Sequence, residues 1–228
     1  NRGIYLAKYD STGTFAWVSG FGGSNGSLSP KGSDFDVAGN SYFTGYFTGS
    51  IQFGSSTLNT SSPEASFVSK LNNNGGAMWS KWIVKGQDNQ SNDVAVDSLG
   101  NVHVVGVFDG AVVFDFIGPV SSNNGSNDLF FAKYDSSGNL VYLKVLGGTH
   151  HDDGRGITID SYGNIITVGY FSDSMDFDPS SASNFLHATN HRPDIFIAKY
   201  DPYGFLIWAK RIGGVYQDVA NFVDIDNW

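Results

Sequence analysis

Apolar residues along this chain come in short runs separated by Gly, Asn, Asp and Ser, and the runs return at a nearly fixed interval. Ala7-Lys-Tyr-Asp10 reappears as Ser69-Lys-Leu-Asn72, as Ala132-Lys-Tyr-Asp135 and as Ala198-Lys-Tyr-Asp201. Lys8, Lys70, Lys133 and Lys199 are therefore spaced by 62, 63 and 66 residues. A period of this length marks supersecondary units that each bury a face against the next. The third unit displays the plan most fully. It predicts strand a over 156–160, strand b over 164–171, strand c over 194–200 and strand d over 205–212, all rich in Val, Ile, Phe, Tyr and Trp.

The connections inside each unit carry turn chemistry. Between a and b stand Asp36-Val-Ala-Gly-Asn40, Asp97-Ser-Leu-Gly-Asn101 and Asp160-Ser-Tyr-Gly-Asn164. Between c and d stand residues 10–14, 72–76, 135–139 and 201–205, which open on Asp or Asn and carry Gly three residues later. An Asx side chain bonds backbone two residues on, and the Gly takes positive φ, which predicts a short hairpin with a bulge.

Strands c such as Leu129-Phe-Phe-Ala-Lys133 are apolar on both faces, as in a sheet covered on both sides. Blades of a propeller are covered in that way, whereas a two-sheet sandwich shows cleaner alternation. Trp17, Trp79, Tyr142 and Trp208 hold one position of strand d, and Phe47/Phe53, Phe108/Phe114 and Phe171/Phe177 recur as Phe-x5-Phe. Repetition in every unit assigns these rings to packing. The expected fold is all-β, a β-propeller or propeller segment of four-stranded antiparallel blades with about 62–66 residues per repeat. The division expected is a partial blade of strands c and d over 1–27, blades over 28–92, 93–155 and 156–218, and the first strand of a further blade over 219–228.

Composition narrows the function classes. With 29 Gly, six Pro and 40% hydrophobic residues, the chain is built for tight turns around a substantial core. A net charge of -9 and the absence of a basic stripe exclude nucleic acid as an expected partner. No apolar run reaches the roughly 18 residues of a spanning helix, so no transmembrane segment is expected. There is no cysteine, hence no disulfide framework and no thiolate metal site. The apolar pattern stops at Trp228 where it elsewhere continues, so the chain reads as a segment or processed form of something longer.

Asp194-Ile-Phe-Ile-Ala-Lys-Tyr-Asp201, Leu206-Ile-Trp208, Ile212-Gly-Gly214, Ile157-Thr-Ile-Asp160 and Gly163-Asn-Ile-Ile-Thr-Val-Gly169 resemble the SBBP beta-propeller repeat of secreted and surface-attached bacterial proteins. That resemblance covers nearly the whole chain. It implies four-stranded blades, an extracellular or cell-surface setting and adhesin-like relatives, with no shared reaction and no catalytic motif to carry over. This chain departs from a complete propeller because its last blade has no strand b, and completion of the arc by self-association with another copy or by sequence outside this segment is expected.

In such a meander the b–c and d–a connections share one face, and long loops on a rigid scaffold are where binding usually resides. The third unit gathers polar groups there: His150, His151, Asp152 and Asp153 in its d–a loop, and Asp173, Asp176, Asp178, His187 and His191 in its b–c loop. His150, His151, Asp152, Asp153, Asp173, His187 and His191 are the candidate ligand-binding residues. Asp176, Asp178, His187 and His191 are the candidate metal ligands, since imidazole and carboxylate suit a divalent ion. The bland readings stand beside these. Asp152 has counterparts in Asp218 and Asn89 and reads as a repeat-wide loop cap, His103 as a core histidine in strand b, and Val113-Phe-Asp115 shows the Asp176 position tolerating a non-acid. No cofactor is implied; Ca2+ or another divalent ion is the competing reading.

No nucleophile elbow, P-loop or dinucleotide fingerprint is present. The expectation is a non-enzymatic structural or adhesive module with a protein or glycan partner. A polysaccharide hydrolase or lyase using acidic loop residues, and a purely architectural stalk or filament repeat, are the alternatives.

Overall fold

The computed structural model describes residues 3–23, 25–115, 117–122 and 126–226. Strands β1 (Ile4–Tyr9) and β2 (Phe15–Phe21) form a two-stranded hairpin. The next unit contains β3 (Ser27–Phe35), β4 (Ser41–Thr48), a small hairpin of β5 (Ser50–Phe53) and β6 (Ser56–Asn59), and β7 (Glu64–Leu71). β8 (Ala77–Val96) leads into β9 (Val102–Phe114), β10 (Gly118–Ser121), β11 (Asp128–Tyr134) and β12 (Leu140–Leu146). The last unit has β13 (Asp153–Ile159), β14 (Ile165–Phe171), the small pair β15 (Ser174–Asp176) and β16 (Phe185–His187), a 3-10 turn at Thr189–His191, β17 (Asp194–Tyr200) and β18 (Leu206–Ile212). All the pairings are antiparallel, and among the described residues no helix is long and apolar enough to cross a membrane.

The third unit forms a four-stranded sheet in the order β13-β14-β17-β18, matching strands a to d. The two units before it differ from expectation. β8 runs unbroken for 20 residues, serving as strand d of one unit and strand a of the next, and the two units merge into one eight-stranded sheet. The cause is a ladder that the repeat does not announce: Val84 and Lys85 pair with Phe114 and Val113, and Gln87 with Asp109, so the d–a connection is held straight by the extension of β9. Register shifts between Lys85 and Gln87, Gln87 and Gln90, and Ser91 and Asp93 interrupt this ladder without ending the strand.

A second correction concerns the expected further strand over 219–228. Residues 219–226 form no strand, because no described strand offers them a backbone ladder, and Asn227 and Trp228 lie outside the described residues. The segment is exposed to half-buried, yet its backbone passes close to strand a of the third unit. A Cβ on Gly156 would stand 3.0 Å from Phe222 Cα, just as one on Gly32 would stand 2.6 Å from Asp93 Cα. The Phe222 backbone thus lies against strand a of the third unit as the Asp93 backbone lies against Gly32, while the Phe222 ring stays exposed.

The turns follow the expected chemistry. Asp135 Oδ1 accepts the N–H of Ser137 and of Asn139, both at 2.9 Å, and Gly138 sits at φ 81°. Gly13, Gly75 and Gly204 repeat that positive φ, and the ladder slips at Lys8/Tyr9, Lys70/Leu71, Lys133/Tyr134 and Lys199/Tyr200, one bulge per hairpin. The b–c connections are less irregular than expected, since each folds a short hairpin back onto its own sheet. The second Phe of each Phe-x5-Phe pair is the reason: Phe53, Phe114 and Phe177 are completely or almost completely buried, and Phe108/Phe114 and Phe171/Phe177 meet edge-to-face at 5.2 and 5.4 Å.

Three buried clusters lie between successive units of the repeat. One joins Leu6, Trp17 and Phe21 to Leu28, Phe43 and Phe67; the next joins Val68 and Trp79 to Val94 and Val104; the third joins Leu129 and Phe131 to Ile157 and Phe196. Each junction is gripped at one point. Trp17 Nε1 donates to Asn73 O at 2.7 Å and Trp79 Nε1 to Ser136 O at 3.2 Å. Lys70 Nζ reaches the same Ser136 carbonyl at 3.3 Å, and Lys133 Nζ reaches Pro202 O at 3.3 Å. The rings lie on glycines, for a Cβ at Gly75, Gly138 or Gly204 would come within 2.8, 2.9 and 3.2 Å of Trp17, Trp79 and Tyr142.

Two glycines with nearly the same backbone separate conformation from docking. Gly13 has φ 82° and open space around its missing side chain, while Gly138 has φ 81° and faces Trp79. Gly13→Ala should cost only the left-handed penalty of about 1–2 kcal/mol. Gly138→Ala should cost that plus overpacking of about 1–3 kcal/mol. Urea unfolding of both variants checks this; equal losses would mean that the ring contact contributes nothing.

Candidate functional site

The loops of the third unit bring together three of the residues that the sequence singles out. Asp173 stands between two imidazoles: His191 Nδ1 lies 2.8 Å from its Oδ1 and His150 Nδ1 lies 3.6 Å from its Oδ2. His150 Nδ1 is also 2.9 Å from Thr149 Oγ1. The His191 side chain is 80% exposed and that of His150 55% exposed, so the group faces solvent. Its backbone is unusual. Asp173, Asn190 and His191 have φ of 61°, 54° and 56°, a left-handed conformation uncommon outside glycine and concentrated at binding sites. When Nδ1–H of His191 donates to Asp173, its Nε2 is left as a hydrogen-bond acceptor.

The other candidates have different surroundings. Asp176 Oδ1 accepts the N–H of Asp178 at 3.0 Å and of Asn184 at 2.8 Å, and Asp178 Oδ1 accepts that of Ser180 at 2.8 Å. His187 is exposed in β16, opposite Ser174. His151 Nδ1 stands 3.4 Å from Asn127 N. Among the described residues, no group of three or more His, Cys, Asp or Glu is placed to hold a metal ion. His103 is buried in β9 with Nε2 3.4 Å from Asp97, which also faces Lys133 at 3.7 Å.

Asp152 is a cap. Its Oδ2 accepts the N–H of Gly148 at 2.6 Å and its Oδ1 that of Ser172 at 3.0 Å, tying the d–a loop to the b–c loop. Asp218 caps Gly214 in the same way at 2.9 Å, and Asn89 Oδ1 accepts the N–H of Ser66 at 3.1 Å. Burial pushes the Asp152 carboxyl up to about 7, with the nearby Asp128 adding to the rise and the two backbone donors opposing it.

Asp153, the next residue, belongs to a second site that the sequence does not reveal. A polar cleft of about 300 Å³ opens among the strands a of successive units, lined by Lys31, Gln90, Asn92, Asp153, Arg155 and Asn221 among others. Asn92 Nδ2 donates to Asp153 Oδ1 at 2.8 Å, Arg155 Nε to Asp153 Oδ2 at 2.9 Å, and Arg155 Nη1 to Asn221 Oδ1 at 2.7 Å. The Arg155 guanidinium lies 5.0 Å from the centre of the Tyr170 ring. Burial raises the Asp153 carboxyl, and the Arg155 contact works against that rise. Lys31, Asn92, Arg155 and Asn221 share one phase of the repeat, and a polar residue recurring at that phase of strand a is the signal that finds them.

Two curated proteins resemble parts of this chain. The regulatory protein FlaEY of Caulobacter vibrioides is 30% identical over 105 residues, 42% of this chain and 10% of that protein. The uncharacterized WD repeat-containing protein L264 of Acanthamoeba polyphaga mimivirus is 27% identical over 156 residues, 58% of this chain and 11% of that protein. The chain thus spans about a tenth of the length of each. No protein-family profile matches it. A solved structure of a protein of unknown function from Bacteroides caccae aligns over 93% of this chain and 76% of its own, with a TM-score of 0.38 and 7% identity. A luciferin-regenerating enzyme aligns over 80% and 76%, with a TM-score of 0.23 and 13% identity. The stacked antiparallel sheets and the similarity to a WD repeat-containing protein are consistent with a propeller-like, all-β fold.

The raised Asp152 carboxyl has a pH signature. Its folded value near 7 lies above the ordinary 3.8, so the folded state holds a proton that the unfolded state has released. Its contribution to stability is full below pH 3.8 and is lost as pH rises towards 7. Asp152→Asn removes this titration, with Asn89 as the internal precedent for the cap. Urea midpoints measured at about pH 4.5 and 7.5 should differ less in the variant than in the parent. An unchanged difference would place the titration elsewhere.

Proposed function

We propose that the chain is a non-enzymatic interaction module, a propeller-like array of SBBP-type repeats from a secreted or cell-surface bacterial protein. In this reading it holds a protein or glycan partner on the loops of the third unit. The observation that carries it is the Asp173 group. Many of the other described carboxylates serve turns and caps, such as Asp135 and Asp152, and rings such as Trp17 and Trp79 serve the junctions between units. At Asp173 and His191 the backbone is left-handed, His191 hydrogen-bonds to Asp173, and His150 stands 3.6 Å from the same carboxylate, with both imidazoles facing solvent. A carboxylate flanked by imidazoles offers acceptors and donors at short range, which suits the hydroxyls of a glycan or the exposed amides of a peptide. Similarity to a WD repeat-containing protein supports the propeller-like class, and the cell-surface setting rests on the resemblance of the Ala-Lys-Tyr-Asp units.

The test is retention on immobilised protein of a panel of polysaccharides and surface proteins, each recovered and sized afterwards. The parent should retain one member at unchanged length. Asp173→Ala combined with His191→Ala should weaken retention about tenfold, the loss expected when a binding hot spot is truncated. Deletion of residues 180–192 should abolish it while the circular dichroism of the sheets persists. Equal retention by both variants rules out the loop, and a shortened polysaccharide replaces this reading with a hydrolase or lyase.

A further inference from the structure

The polar cleft among the strands a departs from the repeat where the scaffold keeps to it. The a–b turns hold Asp36, Asp97 and Asp160, then Asn40, Asn101 and Asn164, from unit to unit. At the cleft each unit brings a different polar residue. Ser29, Gln90 and Asp153 stand opposite Tyr46, Val107 and Tyr170 of strand b, and Lys31, Asn92 and Arg155 follow two residues later. In repeat proteins a fixed scaffold that presents varied side chains to one concave surface is the arrangement used for binding.

The charges do not cancel there. Lys31 and Arg155 line the cleft with one carboxylate, Asp153, which leaves one positive charge in excess within a chain of net charge -9. Asp153 is 8% exposed and is held by Asn92 and Arg155, so it acts first as an anchor for the guanidinium. Arg155 keeps 35% of its side chain exposed while Nε and Nη1 are bonded to Asp153 and Asn221. Asn92 Nδ2 donates to both Asp153 and the Gly154 carbonyl, at 2.8 and 2.9 Å, which leaves its side-chain oxygen as an acceptor. Lys31 Nζ lies 5.7 Å from the centre of the Tyr46 ring, as Arg155 lies over Tyr170, and it forms no hydrogen bond or ion pair with other described residues.

We propose that this cleft binds a sugar acid of monosaccharide size, with its carboxylate on Lys31 and Arg155 and its hydroxyls on the amides of Gln90, Asn92 and Asn221. Ammonium and guanidinium groups form charge-assisted hydrogen bonds to a carboxylate, and side-chain amides both donate and accept, as hydroxyls require. A volume of about 300 Å³ stands at the small end of ligand pockets and suits one sugar ring. Asp153 beside Arg155 disfavours a dianion such as phosphate, whose second charge it repels. The cleft shares no residue with the Asp173 group, so this inference goes beyond the loop reading and either can fail alone.

The experiment titrates the chain at neutral pH with D-glucuronate and with D-galacturonate, against glucose, galactose and inorganic phosphate, by calorimetry and by NMR of side-chain amides. One uronate at least should bind with 1:1 stoichiometry, weaken as salt is added, and shift the amide signals of Gln90, Asn92 and Asn221. Lys31→Met, at an exposed position, should weaken binding about tenfold, the loss expected for one charge-assisted hydrogen bond. Arg155→Gln should abolish it, and Lys31→Met decides alone if that variant fails to fold. Binding of neither uronate, equal binding of the neutral sugars, tighter binding of phosphate, unchanged affinity in Lys31→Met, or shifts confined to His150 and His191 would overturn the proposal.

Discussion

Each junction between successive sheets closes on a place where a side chain is missing. Gly75, Gly138 and Gly204 have φ near 80°, and the same glycines present their bare backbone to Trp17, Trp79 and Tyr142 of the preceding unit. One residue thus meets a conformational demand and a packing demand at once, and no other amino acid satisfies both. The lysine of strand c reaches the same turn, from Lys70 to Ser136 and from Lys133 to Pro202. With each turn fixed against its neighbour, the units lie close enough to share three aromatic cores, and the strands c with a unit on either side, β7 and β11, are buried on both faces.

Much of this was legible in the sequence because it repeats. The Ala-Lys-Tyr-Asp units, the Asx-to-glycine turns and the Phe-x5-Phe pairs each encode a local rule, and local rules survive translation into structure. What escaped was relational. The glycines read as turn formers, without the ring that rests on each. β8 was read as two strands because its middle, Lys85-Gly-Gln-Asp-Asn-Gln90, is polar and lacks a strand pattern; its ladder comes from residues 109 to 114, outside any local window. The segment after Val219 has the apolar pattern of a strand, yet a strand exists only when another backbone pairs with it. The polar cleft was hidden because Lys31, Asn92, Arg155 and Asn221 share a position without sharing an identity.

Asp152 and Asp153 illustrate how little separates scaffold from site. They are adjacent, both acidic and both buried, and chain direction divides their tasks. Asp152 stands just before β13 and holds two loops together through Gly148 and Ser172. Asp153 opens the strand and turns into the cleft, where Asn92 and Arg155 meet it. Reading the four residues from His150 to Asp153 as one polar cluster merged four environments: the exposed Asp173 group, the Asn127 backbone, a buried cap and the polar cleft.

The continuity of β8 changes how the molecule comes apart. In an array of repeats joined only through side chains, each unit can open while its neighbour stays closed, and stability is the sum of units and interfaces. A single strand of 20 residues shared between two sheets removes that freedom, because backbone bonds of one unit cannot break without tearing the other. The sheet of β13, β14, β17 and β18 has no such shared strand. The chain therefore consists of two units joined through a common strand and a third, carrying the exposed loops, joined to them through side chains and packing.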